Sequence, residues 1–290
     1  MRKIKKLLSV ALIPATFLFC SCKTEMKPEP VTDPRNDRGN AVILDGKTAV
    51  VSIFANDYAS EWDFSSETDI ETRDKILSDL KIALDYITTE SRKWGKNAEF
   101  IYDWGENPDL YAERNIPAEA VSLSFDGQYY LEKNLTVTFD FDEILAKYNA
   151  DNVVFLYHFN TAPDDYDGEL DAAAFYNYEP MYEAEFCVCP RHIYGKPITP
   201  SIYAHEILHL FGAPDYYGLK DMKQTVTEEY IEFCAENHTN EIMFKSRCED
   251  EPITSEIAEI TAYYVGWTDY SEEAERFGLF RSQHLPPEQS

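Results

Sequence analysis

Basic residues are scarce in this chain: 26 lysines and arginines stand against 53 aspartates and glutamates, a formal net charge of −27. Such a surface repels nucleic acid and anionic lipid head groups, which excludes functions that need a basic face. Long apolar runs are missing as well. The one mostly apolar stretch, Leu7 to Phe19, is too short for a spanning helix of about 20 residues, and no later stretch is long enough. Histidine is rarer still, with six in 290 residues. Two of those six fall four positions apart in one short segment.

That segment is His205-Glu206-Ile207-Leu208-His209-Leu210-Phe211-Gly212-Ala213-Pro214-Asp215. On a helix, positions i and i+4 share a face, about 5 to 6 Å apart at Cβ, so both imidazoles can point at one ion. Glu206 is rotated aside, where it can reach a water without taking a ligand position. Gly212 suits a helix end in the left-handed region, and Pro214 forbids continuation. The chain must turn back there, which can swing Asp215 under the helix end as an oxygen ligand. Two imidazoles and a carboxylate form a catalytic type of zinc set, with a fourth position open for water.

The run His205, Glu206, His209, Gly212, Asp215 resembles the extended zinc signature of the metzincin metallopeptidases, in the variant with Asp in place of the third His. Snapalysin-like enzymes carry that variant, and the Gly-Ala-Pro-Asp-Tyr wording is similar to secreted peptidases of the immune inhibitor A type. Metzincins also carry a methionine turn beneath the metal, and Asn240 to Phe244, with Met243 34 residues after His209, is similar to it. The resemblance implies an α+β fold: a mixed twisted sheet, a backing helix, an active-site helix, and a smaller, mostly helical C-terminal subdomain. It also implies a zinc-dependent endopeptidase, with Glu206 as general base and a protein or peptide as substrate. An edge strand before the active helix would pair with the extended substrate.

The third ligand has competitors. Glu228, Glu229, Glu232 or His238 could replace Asp215 in a thermolysin-like arrangement, leaving Asp215 to orient a histidine. Lys245 occupies the place where some metzincins have a tyrosine, so Tyr216, Tyr217, Tyr263 and Tyr264 stand as candidates to stabilise an oxyanion. A surface-binding lipoprotein with a structural zinc is the non-catalytic alternative.

Arg2, Lys3, Lys5 and Lys6 before the apolar run read as a signal peptide over residues 1–21. Phe19-Cys20-Ser21-Cys22 resembles a bacterial lipoprotein cleavage box, with Cys22 as the lipidated residue. Loss of 1–21 removes those four positive charges and no negative ones, taking the net charge from −27 to −31. Residues 22–40 hold three prolines and almost no apolar content, and read as a tether. The expected location is the bacterial cell envelope, with a membrane contact through the lipid anchor only.

Residues 41–270 are enough for one domain with a substantial core, expected as a monomer. Strands are expected over Ala49–Ala55, Ala98–Tyr102, Val121–Phe125, Leu135–Phe139 and Val153–Phe159, with a hairpin from Phe175–Tyr178 and Phe186–Cys189. Helices are expected after a Thr68/Glu71 capping box, at Asp142–Tyr148, Thr227–Glu236 and Thr254–Val265, and residues 271–290 as a loose tail. Asp165, Asp167 and Asp171 surround Gly168 in an acidic run that could wrap calcium, although no Glu completes an EF-hand. Four cysteines of an exported domain, Cys187, Cys189, Cys234 and Cys248, favour disulfides in any of three connectivities.

Overall fold

The computed structural model describes residues 31–33, 43–121, 124–163, 172–175, 184–217, 226–244 and 252–281. The signal peptide, Cys22 and the candidate calcium residues Asp165, Asp167 and Asp171 lie outside these, as do Lys245 and Cys248.

A mixed sheet carries the fold, which is of the α+β class. Its longest strand, β2 (Gly46–Asn56), pairs along one side with β3 (Ala98–Ile101) through its first half and with β4 (Tyr111–Asn115) through its second. On the other side lies β5 (Asn152–Phe159), then β7 (Phe186–Pro190), then β6 (Ala173–Phe175) at the edge. Every pairing is parallel except β6 with β7. All eight residues of β5 are buried, as a central parallel strand covered on both faces must be.

Side-chain alternation divides the interior into two cores. Val50, Phe54, Val154 and Leu156 point to the face covered by α1 (Glu67–Lys93) and α4 (Pro200–Leu210). Val51, Ile53, Phe155 and Tyr157 point to the face covered by α2 (Phe125–Thr138) and α3 (Phe141–Tyr148). Leu80, Leu84 and Ile87 give α1 its buried stripe at the expected spacing. The helix begins after Ser66, ahead of the Thr68 capping box, and Asp69 in its first turn accepts from the Asp63 backbone N–H. Among the described residues no helix is long and apolar enough to cross a membrane.

Four expectations need correction. Leu135–Phe139 is no strand: its first residues close α2, whose Leu131 and Leu135 pack one turn apart into the second core. Val121 lies in a turn and Phe125 opens the same helix, capped by Ser124, so the Val121–Phe125 strand is absent too. The helix expected from Thr254 shrinks to α6 (Glu259–Tyr264), since Glu256 exchanges backbone hydrogen bonds with Asn240 and Ile242 instead of coiling. The supposed tail starts with α7 (Glu272–Phe277), capped by Ser271, with Phe277 buried, and continues into β10 (Leu279–Arg281). β10 pairs in parallel with β1 (Val31–Asp33), which falls inside the proposed tether. β4 was not foreseen; its Tyr-Ala-Glu-Arg-Asn sequence carries little strand signal.

Candidate metal centre

The helix that carries the candidate ligands, α4, is buried along its whole length. Thr199 stands at the N-cap position, its hydroxyl on Ser201 Oγ, and Pro200 takes the first helical position, where a missing N–H costs nothing. Its end is a turn that only glycine adopts easily: Gly212 has φ of +97°, with its N–H bonded to the His209 carbonyl. The next residue, Ala213, offers its carbonyl to His209 Nδ1 at 2.6 Å. Two residues on, Asp215 comes back under the helix.

The result is a triangle of ligand-type atoms. His205 Nε2 and His209 Nε2 stand 3.0 Å apart, and Asp215 Oδ1 is 3.2 Å from each. Donors bound to a tetrahedral zinc at its usual bond lengths stand about 3.3 Å apart, so the spacing fits. The hydrogen bonds fit as well. His205 Nδ1 donates to the Ile242 carbonyl at 2.9 Å and His209 Nδ1 to that of Ala213, which leaves a lone pair on each Nε2. Asp215 Oδ1 is buried and has no hydrogen-bond donor. Three electron-rich atoms this close repel one another unless a cation joins them.

Electrostatics favour that cation. Burial depresses the His205 imidazolium, but the Asp215 carboxylate close by, with Glu206 and the Ile242 carbonyl, outweighs burial and raises its pKa to about 9. Burial pushes the Asp215 carboxyl up, but the two imidazoles outweigh it and hold the group well below the usual carboxylate range. Among the described residues, this trio is the one group of three His, Cys, Asp or Glu side chains close enough to share a metal.

The competing ligands are elsewhere. Glu228, Glu229 and Glu232 lie on the exposed side of α5 (Glu228–Asn237). His238 closes that helix and binds Glu273 at 2.7 Å, which raises its pKa.

Met243 is fully buried in a turn beside the centre. The turn touches the site twice: Ile242 holds His205, and the Met243 carbonyl accepts from Tyr216 N, next to Asp215, at 2.9 Å. Glu241 anchors it. This buried carboxylate accepts from Thr261 Oγ1 at 2.7 Å, from Ala258 N and from Met243 N. Burial outweighs these donors and raises its pKa to about 7. Sequence pattern assigns Glu241 no role, and no side-chain pattern marks a backbone carbonyl such as Ile242. Of the tyrosines, Tyr217 stacks beside His205 with centroids 6.4 Å apart, while Tyr216 is buried on Thr261 at 2.8 Å.

Cys187, Cys189 and Cys234 are free thiols, so the expected disulfides do not form among the described cysteines. The first two, as neighbours of one strand face, point into the core beneath α4, whereas Cys234 is buried on α5. Burial above all raises their pKa values, to about 12 for Cys234. The charge of Glu206 adds to the rise at Cys187 and Cys189, as it does at His205.

No family model matches the chain, and no curated protein matches it either.

Proposed function

We propose that the chain is a zinc-dependent endopeptidase of the metzincin type, exported and held at the cell envelope by a lipid on Cys22. The observation that carries this reading is the His205, His209 and Asp215 triangle, with Glu206 adjacent on the same buried helix. The glycine turn that returns Asp215, the Met243 turn that bonds to His205, and the antiparallel edge strand β6 on the sheet beside α4 support it. The exposed α5 glutamates weigh against the thermolysin-like arrangement.

His205, His209 and Asp215 would hold the ion. Zinc bound there would polarise a scissile carbonyl and bring the pKa of water down to about 7. Glu206 accepts the proton of the attacking water and later returns it to the leaving amine. Ile242 and Ala213 keep both imidazoles in the tautomer that presents Nε2. The edge of β6 offers backbone groups to an extended peptide.

Zinc content and cleavage of a quenched-peptide library, compared between the parent and Glu206→Gln, test the proposal. The parent should hold one zinc and cut. The variant should hold zinc and lose about 10² to 10⁴ of the rate. Zinc in both proteins with cleavage in neither would sink the peptidase reading and favour a structural metal.

A further inference from the structure

A cavity of about 590 Å³ opens at the end of α4 away from the metal trio. Small-molecule sites have volumes of about 300 to 1,000 Å³. Its walls are the first half of α1, Thr199 at the start of α4, and the hairpin of β8 (His192–Ile193) and β9 (Lys196–Pro197). It is separate from the metal centre, since His205 lies six residues beyond Thr199, about 9 Å along the helix axis.

Its place in the sheet favours a ligand. Arg191 and His192 directly follow β7, and they are held by Asn160 and Thr161, which directly follow β5. The cavity therefore lies outside the carboxyl ends of adjacent parallel strands, where ligands of open parallel sheets collect.

Its charges indicate which ligand. In a chain with twice as many acids as bases, cations ordinarily find carboxylates. Lys75 does, binding Asp79 at 2.5 Å. Arg191 does not: its hydrogen bond goes to the neutral Asn160 Oδ1 at 2.9 Å, and that amide donates in turn to Asp69. Among the described residues neither Arg191 nor Lys196 has a carboxylate partner, and both line the cavity. Ile76 and Ile198 supply an apolar wall. Glu71 and Asp79 in the same lining disfavour a second negative charge on the occupant.

We propose that this cavity binds a small organic monocarboxylate, with its carboxylate on Arg191 and Lys196 and its apolar tail against Ile76 and Ile198. A guanidinium fork matches a carboxylate in two parallel hydrogen bonds, and a lysine beside it adds a point charge.

Isothermal titration of the full chain with hexanoate, acetate and inorganic phosphate tests this, with Arg191→Gln and Lys196→Gln in parallel. Lys196 is exposed, so its variant leaves the fold intact. Hexanoate should bind saturably and more tightly than acetate, and each variant should weaken it about tenfold, the loss of one charge-assisted hydrogen bond. Any of three results overturns the proposal: no saturable binding up to about 10 mM hexanoate, equal binding by the parent and both variants, or phosphate bound in preference to hexanoate. The titration reads neither zinc nor turnover, so its failure is distinct from a failure of the peptidase reading.

Discussion

His205 Nδ1 donates to the carbonyl oxygen of Ile242, 37 residues further along the chain and 2.9 Å away. One bond thereby joins an imidazole of the candidate metal centre to the turn that holds Met243. Through Glu241, which precedes Ile242 and binds Thr261 and Ala258, it also reaches α6. The orientation of the imidazole thus depends on two elements remote in sequence.

Glu241 makes stability depend on pH. Its folded pKa is raised from 4.5 to about 7, so the folded state prefers the proton. The sign follows: its contribution is complete below about pH 4.5 and is lost as pH rises through about 7, a change of about 3 kcal/mol at full ionisation. Urea midpoints between pH 4.5 and 8 should show this decline in the parent and a flatter profile in Glu241→Gln. Identical slopes in the two proteins would rule out Glu241 as the source.

Gly212→Ala should damage the site through the backbone. A side chain at φ of +97° is strained, at a cost of about 1 to 2 kcal/mol. Relief of that strain moves Asp215 away from the histidines. Zinc affinity, measured against a competing chelator, should fall by about tenfold or more. Unchanged affinity together with a lower melting temperature would confine the effect to stability.

Metal removal should lower the melting temperature of the parent, because an ion that binds only the folded state stabilises it by about 4 kcal/mol at a thousandfold excess over Kd. Asp215→Ala lacks one member of the triangle, so a chelator should shift its melting temperature far less. Equal shifts in both proteins would mean that Asp215 is not a ligand.

Leu84→Ala opens a cavity in the core between α1 and the sheet, without touching any member of the triangle. A loss of about 2 to 5 kcal/mol in denaturant unfolding is expected, with zinc stoichiometry unchanged. A loss of zinc in the folded variant would show that the helix layer sets the site more tightly than the local turn does.

The candidate metal trio was legible in the sequence because its spacing is local. An i, i+4 pair, a glycine three residues later and an aspartate after a proline are constrained by helix geometry and φ preferences alone, and the structure brings those three side chains together. The 3.6-residue period of α1 and the apolar runs of β2 and β5 were readable for the same reason. Leu135 to Phe139 misled because β-branched Thr136, Val137 and Thr138 outweigh, over so short a window, the turn-spaced Leu131 and Leu135 that pack in the fold.

What tertiary structure alone decided is every relationship between distant residues that carries no side-chain signature. The Ile242 and Ala213 carbonyls that fix the imidazoles, the pairing of Glu256 with Asn240 and Ile242 that shortens α6, and the separation of Cys234 from Cys187 and Cys189 belong here. So does the cavity between α1 and the β8–β9 hairpin. Local patterns encode which dihedral angles a segment prefers. Which backbone carbonyl meets which ring nitrogen depends on how the whole set of elements packs, and packing is a property of the assembled core.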